Sequence, residues 1–133
     1  MKKLSAVLLA CVLLFLLSSC GQVGRVTVSY EESELYTREE LEEAARATEL
    51  YFFLHFRGCR LVSLTYAGDD TEQFEALAEQ YGADEAVVLL SSFTVDSTGG
   101  DGSLTPGETY ENWQWILVRP AGGHWRHADH GYG

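Results

Sequence analysis

One well-marked amphipathic helix sets the main constraint on the fold. Thr37 suits the N-cap position, and Glu40 follows three residues later, which is the pattern of a capping box. Apolar and aromatic residues then recur at helical spacing, and Gly58 supplies a helix stop. The recurring residues are Leu41, Ala44, Ala45, Thr48, Tyr51, Phe52, His55 and Phe56. Such a helix buries one face, so it needs a second layer of structure to cover.

The remaining periodic segments predict one further helix and four strands. Asp70 and Gln73 form a weaker capping signal, an apolar stripe follows them, and Gly82 ends the segment. The segments that are typical of strands are residues 59–66, 86–95, 110–119 and 124–130. The most apolar of them, residues 86–95, is expected at the centre of the sheet.

The order of these elements favours an α+β fold, because the last three strands follow one another without a helix between them. We expect a long N-terminal helix packed on a curved, mainly antiparallel sheet of about four strands, with a second short helix. This arrangement resembles the cystatin-like and NTF2-like group in shortened form. The resemblance is architectural and implies no activity.

The first twenty residues carry the features of an export signal. Two lysines form a positive start, and the nearly unbroken apolar run at residues 4–17 is too short to span a bilayer comfortably. The run Leu17-Ser18-Ser19-Cys20-Gly21 then resembles the lipobox of bacterial lipoproteins. The resemblance implies removal of residues 1–19 and attachment of lipid, palmitate among it, at Cys20.

A lipid anchor on the extracytoplasmic face of the cell membrane follows from that resemblance. A single acyl chain binds a membrane reversibly, whereas two or more anchor stably, and lipoproteins carry two or three. An ordinary secretory signal and an uncleaved anchor helix are the alternative interpretations of the same segment.

These signals divide the chain into three parts. Residues 1–19 are interpreted as the signal peptide, residues 20–35 as a lipidated tether, and residues 36–133 as a small α+β domain. The tether is polar and acidic, although Val26 and Val28 alternate with polar residues and allow a short edge strand.

Charge excludes one class of partner. The chain has a net charge of −11, and removing the signal segment, which holds two lysines and no acid, leaves −13. A surface of this kind repels phosphate backbones and anionic headgroups. We therefore expect no nucleic acid partner, and we expect membrane contact through the N-terminal lipid.

The cysteines allow no internal disulfide. Cys11 lies in the signal segment, Cys20 is the expected lipid site, and Cys59 is left alone. Cys59 begins a predicted strand among apolar neighbours and is interpreted as unreactive.

A second resemblance covers residues 36–133. It rests on the runs YGADEAVVLLSSF at 81–93, GGDGSL at 99–104, NWQWILVR at 112–119 and GYG at 131–133. Together these runs are similar to small lipoproteins of Gram-positive gut bacteria that carry a domain of unknown function. The resemblance implies export and a single domain, and it assigns no catalytic residues.

Histidines near the end of the chain invite a metal-site interpretation that their spacing does not support. On a regular strand, His124 and His130 lie about 20 Å apart at roughly 3.3 Å per residue. His127 and Asp129 share a face, but two ligands do not make a zinc site.

The glycine-rich loop that begins at Asp96 fails as a calcium loop. Its sixth and twelfth positions hold Asp101 and Gly107, where an EF-hand requires glycine and glutamate. No metal and no other cofactor is expected.

Aromatic residues supply a candidate pocket or patch. Trp113 and Trp115 alternate on one face of their strand, and Tyr66 and Trp125 lie on other predicted strands. A helix-on-sheet fold can enclose a pocket between such rings. The same rings would otherwise belong to the core or to an exposed binding patch.

His127 and Asp129 complete this candidate set, as a base and its orienting carboxylate. No serine or cysteine has a sequence context that marks it as their nucleophile, so no catalytic residue is assigned. The protein is interpreted as a binding protein rather than an enzyme.

Two functions are carried forward from the sequence. The first is a non-enzymatic interaction module whose partner is an envelope protein, and it predicts an exposed aromatic patch. The alternative is an NTF2-like pocket domain that binds or converts a small molecule. It requires a cavity into which His127 or Asp129 points.

Overall fold

The computed structural model describes residues 6–7, 21–100 and 102–132. Their elements, in chain order, are β1 (Thr27–Tyr30), α1 (Arg38–His55), β2 (Cys59–Tyr66), α2 (Thr71–Gln80), β3 (Glu85–Val95), β4 (Thr109–Arg119) and β5 (Arg126–Gly131). Cys20, the predicted lipid attachment site, lies outside the described residues, and so does the predicted signal segment apart from residues 6–7.

The strands of the described chain form one sheet in sequence order, β1-β2-β3-β4-β5. β1 runs parallel to β2, and the other three pairs are antiparallel. α1 makes the connection that two parallel neighbours require. β3, which includes the most apolar segment of the sequence, lies at the centre, as predicted.

The expectation of a mainly antiparallel sheet of about four strands, in the manner of cystatin-like and NTF2-like proteins, is wrong. The fold is α+β, but the sheet is mixed and has five strands, with a first helix of 18 residues. The additional strand is β1, which lies within the segment that was interpreted as a tether. Its four residues are too short for alternation to distinguish a strand from an irregular segment.

The segment before α1 packs along the edge of the sheet. The amide of Gly21 donates to the carbonyl of Phe53 at 2.9 Å, and Gln22 forms a bridge to Arg60. Further along, the amide of Glu31 donates to the carbonyl of Tyr66 at 2.9 Å. The chain between Gly21 and α1 therefore follows the edge of the domain from one end to the other.

The capping box at the start of α1 is confirmed. The Glu40 amide donates to Thr37 Oγ1 at 3.2 Å, and the Thr37 amide donates to Glu40 Oε2 at 2.7 Å. The second oxygen of Glu40 accepts a hydrogen bond from the buried Arg119 at 2.8 Å. One side chain therefore caps the helix and joins its start to the end of β4.

The two helices cover opposite faces of the sheet. Phe52 of α1 packs against Trp115, whereas Tyr81, which caps the end of α2, donates a hydrogen bond to Asp129. Trp115 pairs with His130, next to Asp129 in β5, and adjacent strand residues point to opposite faces. Fully buried side chains on the α1 face include Phe52, Leu61, Leu64, Tyr66, Val87, Leu89, Phe93, Trp115 and Leu117.

Candidate ligand-binding site

An open cavity of about 240 Å³ lies where the end of α1 meets β4, β5 and the loop between β3 and β4. Its described lining residues are Tyr51, His55, Phe56, Arg57, Cys59, Ser103, Leu104, Trp113 and His130. Its volume is below the roughly 300–1,000 Å³ that is usual for drug-sized ligands. The cavity therefore suits a small organic molecule.

α1 supplies one wall of the cavity through residues one turn apart. Tyr51 and His55 occupy the same helix face, and their rings lie 4.3 Å apart between centroids. Phe56, which caps the helix, is buried and stacks on Phe52 with ring centroids 4.9 Å apart. The final turn of α1 thus presents an aromatic surface with a histidine at its outer edge.

The loop after β3 closes over the end of α1 because two glycines permit a close approach. Gly58 has a φ of +74° and accepts a hydrogen bond from the Asp96 amide at 2.8 Å. Gly100 has a φ of +64°, and a Cβ there would lie 2.8 Å from the carbonyl oxygen of Arg57. This contact brings Ser103 and Leu104 to the cavity.

A β-bulge in β5 turns two histidines toward the α1 face. His130 pairs with Trp115 and His127 pairs with Leu117, with a register shift between Ile116 and Leu117 that leaves one extra residue in β5. On a regular strand, residues three apart point to opposite faces. The bulge is the reason that His127 and His130 lie together.

The two imidazoles form a stacked cluster with Tyr51. His127 Nε2 lies 3.0 Å from His130 Nδ1, so one ring donates the hydrogen bond and the other accepts it. The His127 ring also stacks on the Tyr51 ring, with centroids 3.6 Å apart and planes 12° from parallel. His130 lines the cavity, while His127 supports it from beneath Tyr51.

Burial keeps both imidazoles neutral. Desolvation, assisted by the neighbouring His130, lowers the pKa of His127 from 6.5 to about 4, although Asp129 opposes the change. Desolvation also lowers the pKa of His130. At neutral pH the pair therefore offers an uncharged hydrogen-bonding surface at the cavity wall.

The charge of the cavity differs from that of the whole domain. None of its described lining residues is acidic, and Arg57 contributes a guanidinium. Arg57 is exposed and forms no ion pair with a described residue. In a chain with a net charge of −11, this local exception favours an anionic ligand.

Two of the predicted tryptophans, Trp113 and Trp115, occupy this region in different roles. Trp113 is partly exposed, lines the cavity and stacks on His130 with ring centroids 5.9 Å apart. Its buried Nε1 has no hydrogen-bond partner among the described residues. Trp115 is fully buried and donates to Ser91 Oγ at 2.7 Å, so it forms the floor beneath His130.

The other predicted site residues lie away from the cavity. Tyr66 is fully buried, and its hydroxyl donates to the Asp69 carboxylate near the start of α1. Burial raises the pKa of the Tyr66 phenol, and the bond to Asp69 raises it further. Trp125 packs on Arg119, whose guanidinium carbon lies 4.2 Å from the ring centroid. It lies at the junction between α1 and the sheet.

Asp129 does not act with His127. It is exposed on the α2 face, where its carboxylate accepts a hydrogen bond from Tyr81 at 3.2 Å. The predicted pairing assumed a regular strand, on which residues two apart share a face. The bulge at Ala128 instead places His127 and Asp129 on opposite faces. The base-and-carboxylate arrangement is therefore absent from the described site.

Sequence reasoning missed Tyr51, His55, Arg57 and His130 as site residues. The first two were assigned to the buried stripe of α1. Their polar groups, four residues apart at the end of that stripe, were the available signal that the helix end borders a cavity rather than the core.

The described residues contain no group of three or more histidine, cysteine or carboxylate side chains placed to hold a metal ion. No helix within the described part of the chain has the length and apolar character needed to cross a membrane. Comparisons with protein-family models, curated proteins and solved structures found nothing that matches this chain.

Proposed function

We propose that this protein is an exported, lipid-anchored lipoprotein whose domain binds a small organic anion in the cavity at the end of α1. The anchoring rests on the lipobox resemblance at Cys20. The binding function rests on the cavity itself, which combines aromatic walls with neutral imidazoles and one arginine.

The lining residues favour a particular ligand chemistry. Trp113, Phe56 and Tyr51 offer ring surfaces to a flat or apolar body. Arg57 offers a planar fork of donors that fits a carboxylate, and His55 supplies a further polar group. A small carboxylate with an aromatic or short aliphatic body satisfies both requirements.

The geometry gives less support to an interaction module built on an exposed aromatic patch. Trp115 and Trp125 are buried, and Trp113 is only partly exposed. The three tryptophans therefore form no continuous outer surface. Binding to an envelope protein would need a different surface from the one that the sequence suggested.

The binding proposal is tested on the lipidated full-length protein in detergent. Tryptophan fluorescence is followed while benzoate, phenylacetate, butyrate and their uncharged amides are added separately. We expect at least one carboxylate to change the emission saturably, because Trp113 lies in the cavity wall. We expect its amide to bind about tenfold more weakly, since one charge-assisted contact contributes roughly 1.5 kcal/mol.

Arg57→Gln and Arg126→Gln form a matched pair for this experiment. Both arginines are exposed, but Arg57 lines the cavity and Arg126 lies on the α2 face. We expect only Arg57→Gln to weaken carboxylate binding. Equal affinities for both variants, or no response to any carboxylate, would refute the anion site.

The anchor is tested separately by mass spectrometry of the membrane-extracted protein. We expect the mature chain to begin at an acylated Cys20, and we expect Cys20→Ala to abolish acylation and cleavage. A mature chain that begins elsewhere without lipid would contradict the anchoring proposal and would leave the cavity result untouched.

A further inference from the structure

The residue that follows the proposed lipid site is locked onto the end of α1. The Gly21 amide donates to the carbonyl of Phe53 at 2.9 Å. A Cβ at Gly21 would lie 2.5 Å from the Phe52 carbonyl oxygen and 2.8 Å from that of Phe56, so only glycine fits. Gly21 directly follows Cys20 in the sequence, so the proposed lipid site is one residue away from this contact.

Two exposed leucines lie beside this attachment point. Leu50 and Leu54 have 59% and 57% of their surface exposed, and they lie one turn apart on the outer side of α1. The Phe53 carbonyl that holds Gly21 is covalently joined to the Leu54 amide. Leu50 is about 6 Å further along the helix, at roughly 1.5 Å per residue.

The polar residues beside these leucines carry both signs of charge. Arg46 is exposed one turn before Leu50. Burial raises the pKa of the Glu49 carboxyl overall, although Arg46 lies close enough to oppose this increase. Arginine beside apolar side chains can contact anionic headgroups while the leucines enter the acyl boundary.

The charge of the domain is strongly divided along α1. The start of α1 and its neighbours, residues 31–43, 69–75 and 84–85, hold thirteen of the twenty acidic residues and one arginine. The segments at the end that holds Gly21, residues 21–25, 55–60 and 94–109 of the sequence, carry three arginines and three acids. An anionic bilayer repels the first end far more than the second.

We infer that the outer face of the last turns of α1 rests directly on the lipid bilayer, with Leu50 and Leu54 entering the headgroup boundary. The inference depends on the proposed lipid at Cys20 and adds a fixed orientation to it. The anchor leads straight into a packed segment, so the domain is held against the membrane rather than on a long tether. His55 and Arg57 belong to the same end, which places the cavity close to the membrane surface.

The orientation is tested with spin labels on the lipidated full-length protein in phosphatidylglycerol and phosphatidylethanolamine vesicles. Cysteine is introduced by Leu50→Cys, Leu54→Cys or, as the control, Leu35→Cys, and Cys59 is buried. Leu35 is similarly apolar and 43% exposed, but it lies at the acidic end. Flotation of the vesicles first establishes that each labelled protein is anchored.

We expect labels at positions 50 and 54 to show about threefold greater collision with oxygen, relative to a water-soluble nickel chelate, than the label at position 35. Gly21→Val, which cannot keep the close contact with α1, should remain anchored but reduce this difference. Both results together support the inference.

Three other outcomes would overturn it in distinguishable ways. If the protein does not float with vesicles, the anchoring proposal itself fails. If the protein floats but all three labels are equally exposed to water, the orientation alone is wrong. If labels at position 54 show dipolar broadening without oxygen contact, a second copy of the chain covers the leucines instead of lipid.

Discussion

His127 Nε2 lies 3.0 Å from His130 Nδ1, in a contact that requires one imidazole to donate and the other to accept. Protonating both rings would remove the acceptor and place two positive charges in contact. The same rings pack between Tyr51 of α1 and Trp115 of β4. Protonation of these rings at acidic pH therefore weakens the packing between α1 and the sheet.

The first prediction follows from the sign of this pKa shift. His127 has a folded-state pKa of about 4, below its ordinary value of 6.5. Below pH 6.5 the unfolded chain binds a proton at this histidine and the folded protein does not. The free energy of unfolding therefore falls as the pH decreases from 6.5 toward 4. We expect the free energy of unfolding, measured in urea, to decrease between pH 6.5 and pH 5.

Gln substitutions at both histidines provide the control for this loss. His127→Gln with His130→Gln removes the two titrating groups, so the decrease between pH 6.5 and pH 5 should become smaller. Glu40, Glu43 and Asp69 have lowered pKa values because of their hydrogen bonds, and they lose their stabilising effect only at lower pH. An unchanged slope in the double variant would place the acid-sensitive groups elsewhere.

A second prediction concerns the buried indole of Trp115. Its Nε1 donates to Ser91 Oγ at 2.7 Å, and both residues are buried. Ser91→Ala leaves this donor without its acceptor, which should lower the free energy of unfolding by about 1–3 kcal/mol. Thermal or urea denaturation measures the loss.

Ser92→Ala is the matched control for that substitution. Ser92 is adjacent in β3 but only partly buried, and its hydroxyl contacts Ser63 on the other face. Water can replace this contact, so the change should stay within about 0.5 kcal/mol. Equal losses for both variants would show that the indole hydrogen bond has no special role.

The third prediction concerns the buried arginine at the end of β4. Arg119 is 3% exposed, donates to Glu40 at 2.8 Å and to Glu85 at 2.5 Å, and packs on Trp125. Arg119→Ala leaves two partly buried carboxylates without their cation, so we expect a loss of about 3 kcal/mol in the free energy of unfolding.

An exposed ion pair on α1 gives the comparison for Arg119. Arg38 lies 3.4 Å from Glu42 on the helix surface, where solvent screens the attraction. Arg38→Ala should cost less than about 1 kcal/mol. If the two variants unfold at the same urea concentration, the Arg119 network does not join α1 to the sheet.

The sequence predicted local structure well where a few neighbouring residues determine it. Thr37 and Glu40 fixed the start of α1, and Asp70 caps α2 through the Gln73 amide as its pattern indicated. Capping depends on residues three positions apart, so it is visible without knowledge of the rest of the chain.

The sequence was a poor guide where distant backbone contacts decide the structure. β1 is defined by its parallel pairing with β2 across residues 63–66, and the bulge at Ala128 is defined by its register with β4. Neither has a strong local signature. His127 and Asp129 were paired because residues two apart share a face on a regular strand, and the bulge at Ala128 instead places them on opposite faces.

The fourth prediction tests how the loop after β3 completes the cavity. Gly100 and Gly102 both have positive φ values, +64° and +91°, so an alanine at either position should cost about 1–2 kcal/mol. Only at Gly100 would the added Cβ meet another group, the Arg57 carbonyl oxygen at 2.8 Å, whereas nothing lies within 4 Å at Gly102.

Gly100→Ala should therefore push the loop away from the end of α1, and Gly102→Ala should not. Because this loop carries Leu104 into the cavity wall, we expect Gly100→Ala to weaken carboxylate binding by more than its effect on folding explains. Measuring affinity and unfolding free energy for both variants separates the two effects. Equal affinities would mean that the loop is not part of the binding wall, because the backbone strain is shared and only the contact with Arg57 differs.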